Sequence, residues 1–181
     1  MARLTRLWTA TTTEDPSEIK AFLAERDIDF ARWEIPRPVE VLAAKPSPTD
    51  ADKSAMLDAF RTHLDQLAAD KGYVDADVVC IRNVDGIDAA LSKFDKVHYH
   101  DDDEVRAIVG GHGVFGFVGD DGRQFLVDVE AGDYLSVPAG MWHWFYCGDD
   151  RNITALRLFK DTTGWVPHYR STARGNAAAG V

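Results

Sequence analysis

The second half of the chain is a succession of short runs in which apolar and polar residues alternate. These runs are residues 97–100, 104–109, 114–118, 124–129, 134–137, 142–147 and 153–159. Turn-forming residues separate them, at Gly110-Gly111, 120–122, 131–133 and 148–150. Successive side chains of a strand point to opposite faces, so closely spaced runs with tight turns predict a β-sandwich or a small barrel.

The first half reads as mixed α and β. Asp15 followed by Pro16 is typical of a helix start, and the alternation over residues 28–35 predicts a strand. Apolar residues then recur every three or four positions from about 48 to 71, and Gly72 stands where a helix often ends. These helices are expected to cover the outside or one end of the barrel.

The length of 181 residues fits one domain. We therefore predict a single mainly β domain over residues 1–170, with flanking helices and an N-terminal α/β elaboration. The small and polar residues 171–181 are predicted to form a flexible tail.

Composition and charge exclude several classes of partner. With 45% hydrophobic and 28% charged residues the chain is typical of a globular protein, and its net charge of −10 repels polyanions. Neither nucleic acid nor a membrane is expected as a partner. We expect no signal peptide and no membrane span, because the N-terminal segment has no apolar core and no stretch approaches about 18 apolar residues. Cys80 and Cys147 fit no disulfide framework, which predicts a reduced, cytoplasmic location.

Candidate chemistry centres on the HxH pair His98 and His100. Residues two apart on a strand share a face, so both imidazoles point to one side. Glu104 opens the next strand and can return its carboxylate to the same site, with Arg106 on its face. His143 follows a Pro-x-Gly bend and is a fourth candidate. Three imidazoles and one carboxylate suit Fe, Ni, Mn, Co or Zn better than Ca or Mg.

Each of these features also has a simpler interpretation. An HxH pair can be two surface histidines, residues 101–104 can be a solvated acidic turn, and His143 can pack between Trp142 and Trp144. Their joint order, HxHxxxE followed by GxxxxxPxGxxH, favours the metal site.

These two blocks resemble the paired metal-binding motifs of the cupin superfamily, which implies a double-stranded β-helix, or jelly-roll, barrel. The stretch His98 to Arg106 more specifically resembles the H-x-H-x-x-x-E-V-R signature of the acireductone dioxygenase family. Further segments that resemble this family are 30–33, 69–73, 136–145, 155–159 and 164–165. The likeness extends from about residue 28 to 166.

The resemblance implies a role for each matching residue. The metal ligands would be His98, His100, Glu104 and His143. Arg106 would favour the substrate dianion, and Asp103 would transmit changes at the metal site. The implied substrate pocket comprises Phe94, Phe145, Arg157 and Trp165, of which the aromatic residues can equally be barrel core. Arg157 interrupts an apolar strand, so its guanidinium needs an anionic partner.

The resemblance also implies an activity. One Fe(II) or Ni(II) per chain would support cleavage of the acireductone 1,2-dihydroxy-3-oxo-5-methylthiopentene by O2 in methionine salvage. The iron form would give 4-methylthio-2-oxobutanoate and formate, and the nickel form 3-(methylthio)propanoate, formate and carbon monoxide. The ligands do not select between the metals. Val97 stands where several members have an acidic residue associated with metal incorporation, and a monomer is expected.

Two alternatives remain open at this point. The chain can be another metal-dependent cupin oxygenase or isomerase that acts on a small diol or thiol. It can also be a non-catalytic cupin that binds a metal or a small ligand.

Overall fold

Two antiparallel sheets that share one long strand make up the structure, a computed structural model that describes residues 1–161 and 166–170. The predicted tail, 171–181, lies outside the described residues. The helices are α1 Pro16–Ala24, α2 Arg37–Ala43, α3 Asp50–Ala59, α4 Arg61–Lys71 and α5 Ile87–Leu91. The strands are β1 Arg3–Arg6, β2 Thr11–Thr13, β3 Asp29–Arg32, β4 Asp75–Ile81, β5 His98–Tyr99, β6 Glu104–Val118, β7 Gln124–Glu130, β8 Asp133–Val137, β9 His143–Cys147, β10 Ile153–Phe159 and β11 His168–Tyr169.

Strand β6 belongs to both sheets. The first sheet has the order β2-β1-β7-β6-β9-β5-β11, and the second has the order β3-β8-β6-β10-β4. The first part of β6 pairs with β8 and β10, and the part from His112 to Val118 pairs with β7. Strands β1, β3 and β4 of the first half thus pair with strands of the second half.

The turn predicted at Gly110-Gly111 is wrong, because β6 continues through both residues. The register between β6 and β10 shifts between Thr154 and Ala155, which marks a β-bulge. Gly111 has a φ of 73°, and a Cβ on it would lie 1.9 Å from the carbonyl oxygen of Asn152. The glycine is thus needed where the strand passes from one sheet to the other.

The helix predicted over 48–71 is two helices, α3 and α4, which meet at Phe60. This residue has φ −106° and ψ 14°, and its side chain is fully buried. Helix α2 was not predicted from the pattern, and the strand predicted over 28–35 is limited to β3. The helix start at Pro16 is confirmed, with the Asp15 carboxylate accepting a 2.8 Å hydrogen bond from the backbone N–H of Ser17.

The second sheet is buried on both faces. Its inner face adds Ile108 and Leu135 to the core inside the barrel, whereas its outer face contributes Val105 and Leu156 to a second core. Helices α2 to α4 supply the other side of that second core, including Phe60. The mainly β architecture with flanking helices is therefore confirmed, with the helices on the outside of the barrel.

Two sequence observations have a structural counterpart. Cys80 is half-buried, Cys147 is buried, and both thiols are free. Burial raises the pKa of the Cys147 thiol to about 11. Across residues 1–161 and 166–170, the structure contains no helix with the length and apolar character that a membrane crossing requires.

A pair of glycine substitutions tests the constraint on β6. Gly111 and Gly122 both have positive φ, but an added Cβ at Gly122 meets no atom within 4 Å. We expect Gly122→Ala to lower the free energy of unfolding by about 1 kcal/mol, the cost of left-handed backbone. Gly111→Ala should cost about 1–3 kcal/mol more because of the clash. Denaturant titration measures both, and equal losses would contradict the constraint.

Candidate metal centre

Four predicted ligands converge inside the barrel. One ligand atom each from His98, His100, Glu104 and His143 can be chosen so that all four lie within 4.8 Å of one another. The four residues are between 1% and 7% exposed. Buried polar side chains need partners, so this clustering is the first sign of a shared ion.

Strand geometry explains the convergence. His98 and His100 share a face because they are two residues apart, and His98 lies directly opposite His143 in the β5–β9 pair. Glu104 is the first residue of β6, opposite Val137 of β8. The backbone N–H of Gly140, in the Pro-x-Gly bend, donates a 2.8 Å hydrogen bond to the carbonyl of His100 and ties the two motifs together.

Each imidazole is oriented by a backbone carbonyl. The Nδ1 atoms of His98 and His143 lie 2.7 Å from the carbonyl oxygen of Lys96 and 2.8 Å from that of Met141. Nδ1 of His100 lies 3.2 Å from the carbonyl oxygen of Val166. A carbonyl can only accept, so Nδ1 carries the proton and Nε2 remains the ligand atom.

The ionisable groups are held in states that suit a metal. Burial opposes ionisation of Glu104, but the neighbouring Arg106 cation and the contacts with His100 and His143 outweigh it and hold the pKa of Glu104 well below its ordinary value. Burial, reinforced by His143, lowers the pKa of His98 to about 4. A carboxylate and neutral imidazoles are the forms that coordinate cations.

The donor set and its span fit one transition-metal ion. Two ligands that each bind at about 2.1 Å can be at most about 4.2 Å apart, close to the spread found here. The Oε2 atom of Glu104 lies 2.7 Å from Nε2 of His143 and 3.5 Å from Nε2 of His100. Nitrogen-rich coordination of this kind suits Fe, Ni or Zn, while Ca²⁺ prefers oxygen ligands.

A cavity of about 420 Å³ opens onto His98, His100 and Glu104. Of the predicted pocket residues, Phe94 and Arg157 line it, and so does Arg106. Phe145 is not among the lining residues that the described chain provides; its ring packs 4.9 Å from that of Phe115. Trp165 lies outside the described residues.

Asp103 connects the two metal motifs without lining the cavity. Its carboxylate accepts hydrogen bonds from the backbone N–H of Ala139 at 3.1 Å, from Nζ of Lys160 at 2.6 Å and from the Tyr73 hydroxyl at 3.3 Å. Burial opposes ionisation, but Lys160 and the Ala139 N–H prevail and lower the pKa of Asp103. Asp103 directly precedes Glu104, and its contact with Ala139 thus ties Glu104 to the bend that precedes His143.

Two arginines approach the cavity from neighbouring strands. Arg106 donates from Nη2 to Oε1 of Glu104 at 2.8 Å, and burial lowers its pKa to about 10, so it remains a cation at neutral pH. Arg157 lies opposite Arg106 in the β6–β10 pair. The anionic partner expected for Arg157 is Asp77, whose Oδ1 accepts from Nε at 2.6 Å.

The sequence reasoning missed several cavity residues. These are Asp75, Asp77, Lys93, Phe159, Asp161, Pro167 and Tyr169. The spacing of Asp75 and Asp77, two apart before the apolar pair Val78-Val79, was a usable signal, because it places both carboxylates on one face of a strand.

Comparison with known proteins settles the family. Residues 34–167 match the model of the ARD/ARD′ family, well over half of the chain. The chain belongs to the acireductone dioxygenase family. Among curated relatives, the acireductone dioxygenase of Leptospira interrogans is 42% identical over 170 residues, which cover 93% of this chain and 96% of the relative. That of Bacillus subtilis is 38% identical over 160 residues, 88% of this chain and 90% of the relative.

A solved member of the family has the same fold. The acireductone dioxygenase from Bacillus anthracis, with a cadmium ion in its active centre, superposes with a TM-score of 0.86 at 36% identity. The match covers 93% of this chain and 98% of that chain. The cupin barrel expected from the sequence is thereby confirmed.

Removal of one ligand should abolish stable metal binding. Loss of an outer partner of a metal ligand typically weakens affinity 10–100-fold, so we expect His143→Ala to weaken binding by more than about 100-fold. His112→Ala is the matched control, because His112 is half-exposed and lies on β6 away from the cluster. Metal analysis after dialysis measures both, and retention of the metal by His143→Ala would contradict the assignment.

Proposed function

We propose that the chain cleaves an acireductone with O2 in methionine salvage, with His98, His100, Glu104 and His143 as ligands of a single Fe(II) or Ni(II). The observation that carries the proposal is the buried four-ligand cluster at a cavity that also presents Arg106 and Arg157. Family membership supports acireductone as the substrate. The cavity volume is also in the range of small-molecule sites.

The two arginines define the charge state in which the substrate binds. An enediol that has lost two protons is a dianion, and two adjacent guanidinium groups select it over the neutral form. Arg106 is held rigidly by Glu104, so its charge is in place before the substrate arrives. The dianion is the electron-rich form of the enediol and the one that reacts with O2.

The ligand residues hold their donor atoms in fixed positions in a buried site from which water is largely excluded. All four are buried, and each imidazole is oriented by a carbonyl, which leaves little freedom in the cluster. When bound, Fe(II) or Ni(II) would supply a Lewis acid that lowers the pKa of the enediol. Asp103 keeps the two metal motifs in register through Ala139, in line with a role in transmitting changes at the metal site.

Family membership favours this function over the other two interpretations, a different cupin enzyme and a non-catalytic binding protein. Phe94 is proposed to contact the substrate at the cavity wall. Phe145 and Trp165 stay predictions from the resemblance, as do the monomeric state, the cytoplasmic location and the effect of Val97 on metal loading.

Turnover of an acireductone by metal-loaded protein tests the proposal. We expect rapid, oxygen-dependent loss of the ultraviolet absorbance of the substrate, because the conjugated enediol is destroyed. Products should differ with the metal: the 2-keto acid and formate with iron, and the thioether acid, formate and carbon monoxide with nickel. Metal-replete protein that leaves the substrate intact would refute the function.

Substitution of the arginines should separate binding from metal loading. Arg157→Ala is expected to raise KM about tenfold or more with unchanged metal content, because a charge-assisted contact to the dianion is lost. Arg106→Ala should lower both activity and metal content, because it leaves Glu104 buried without its cation. Steady-state kinetics and metal analysis provide the readouts. Unchanged KM in Arg157→Ala would remove that residue from the substrate site.

A further inference from the structure

A row of charged side chains crosses the second sheet beneath the cavity. In the registers of this sheet Asp77 of β4 lies opposite Arg157 of β10, and Arg157 lies opposite Arg106 of β6. Glu104 precedes Arg106 by two residues and so shares its face. All four residues line the cavity. The carboxylates thus lie at the two ends of the row and the guanidinium groups in the middle.

Asp77 holds Arg157 by two parallel contacts. Nε of Arg157 donates to Oδ1 of Asp77 at 2.6 Å, and Nη2 donates to Oδ2. A bidentate carboxylate fixes the plane and direction of a guanidinium, which a single hydrogen bond does not. Asp77 therefore determines where Arg157 presents its charge.

Exposure of this ion pair argues against a purely structural role. The side chain of Arg157 is 31% exposed and that of Asp77 is 45% exposed. Ion pairs at such exposure contribute little to stability, because water screens them. The pair also faces the cavity, where the direction of a cation affects what binds.

Arg157 also has a physical reason to leave this position. The neighbouring cation Arg106 repels Arg157, and the same repulsion contributes to the lowered pKa of Arg106. The side chain is long and half-exposed, so it can turn towards solvent. Arg157 also contacts the Phe159 ring, whose centroid lies 5.2 Å from the guanidinium carbon. A carboxylate at Asp77 opposes the repulsion and keeps the two guanidinium groups side by side.

We propose that Asp77 is a positioning residue that aims Arg157 at the anionic substrate. The inference rests on the proposed function, since it assumes a dianionic enediol as the ligand. It assigns a role in substrate binding to an acidic residue, although an acidic residue by its charge alone would repel that ligand. Removal of the Asp77 charge should strengthen dianion binding, whereas loss of its contact with Arg157 should weaken it. The two effects can therefore be separated.

Asp75 is the matched control. It lies on the same strand two residues earlier, on the same face, and also lines the cavity. Its Oδ1 accepts from the neighbouring backbone N–H of Ala76, whereas the carboxylate that holds Arg157 is that of Asp77. Asp75→Asn removes the same charge as Asp77→Asn from the same cavity wall. Charge alone predicts tighter dianion binding in both variants, whereas positioning predicts weaker binding in Asp77→Asn.

The test compares metal-loaded wild type, Asp77→Asn, Asp77→Glu and Asp75→Asn. Acireductone is titrated without O2 to obtain Kd, and KM and kcat are then measured in air. We expect Asp77→Asn to raise Kd and KM about tenfold, on the order of a lost charge-assisted contact, with a smaller change in kcat. Asp77→Glu should restore part of the affinity, and Asp75→Asn should leave Kd unchanged or lower it.

A spectroscopic readout tests positioning without turnover. The Nε–H signal of Arg157 in ¹⁵N NMR spectra should shift in Asp77→Asn and remain in place in Asp75→Asn, because Asp77 accepts a hydrogen bond from that group. Equal Kd values for wild type and Asp77→Asn, or a lower Kd in Asp77→Asn, would overturn the proposal. Wild type that neither binds nor consumes acireductone would instead refute the proposed function, and the NMR comparison would still report on the contact.

Discussion

The passage of β6 from one sheet to the other is the constraint on which the site depends. Glu104 and Arg106 lie on the part of β6 that pairs with the second sheet, and Phe117, further along the same strand, lies opposite His143 in the first. One continuous backbone thus sets the distance between the carboxylate and the histidines. Gly111 permits this path, because only glycine fits the positive φ so close to Asn152. A turn at this point would have removed the single strand that carries both Glu104 and the residue opposite His143.

Electrostatics inside the barrel follows from the burial that this path imposes. An isolated carboxylate at Glu104 would be expensive to bury, so Arg106 and the histidines must offset it. The chain has a net charge of −10, and its cavity is not cationic through its side chains alone. Among described residues, the cavity wall carries three basic and four acidic side chains. A divalent ion, rather than the arginines alone, would make the cavity positive, which links anion binding to metal loading.

Much of the site was predictable because its information is local. The shared face of His98 and His100 follows from strand alternation. The short turn after His100 explains why Glu104 comes back to the same site. The link to His143 came from the order of two motifs and from the family resemblance. The spacing of Asp75 and Asp77 indicates a shared face, but not the role of Asp77, since an aspartate before an apolar run is also typical of an ordinary solvated strand end. Its role depends on the β4–β10 register, which joins residues 80 positions apart.

The errors in the predicted elements also arise because long-range contacts, rather than the local pattern, decide the structure. Gly110-Gly111 has the composition of a turn, and only the proximity of Asn152 reveals a bulge within a strand. The apolar period from 48 to 71 continues across Phe60, so nothing in the pattern marks the break. Phe60 is buried between the helices and the second sheet, and packing of this kind overrides local propensity.

The division of the site between two sheets also explains how metal and substrate can influence each other. His98 and His143 lie on the first sheet, whereas the carboxylate and the arginines lie on the second. Glu104 contacts an arginine directly, through the 2.8 Å contact with Arg106. A shift of its carboxylate would therefore change the contact with Arg106, and the repulsion between Arg106 and Arg157 would couple that change to the next strand. Rigid anchoring of Arg157 by Asp77 limits how far that displacement can extend.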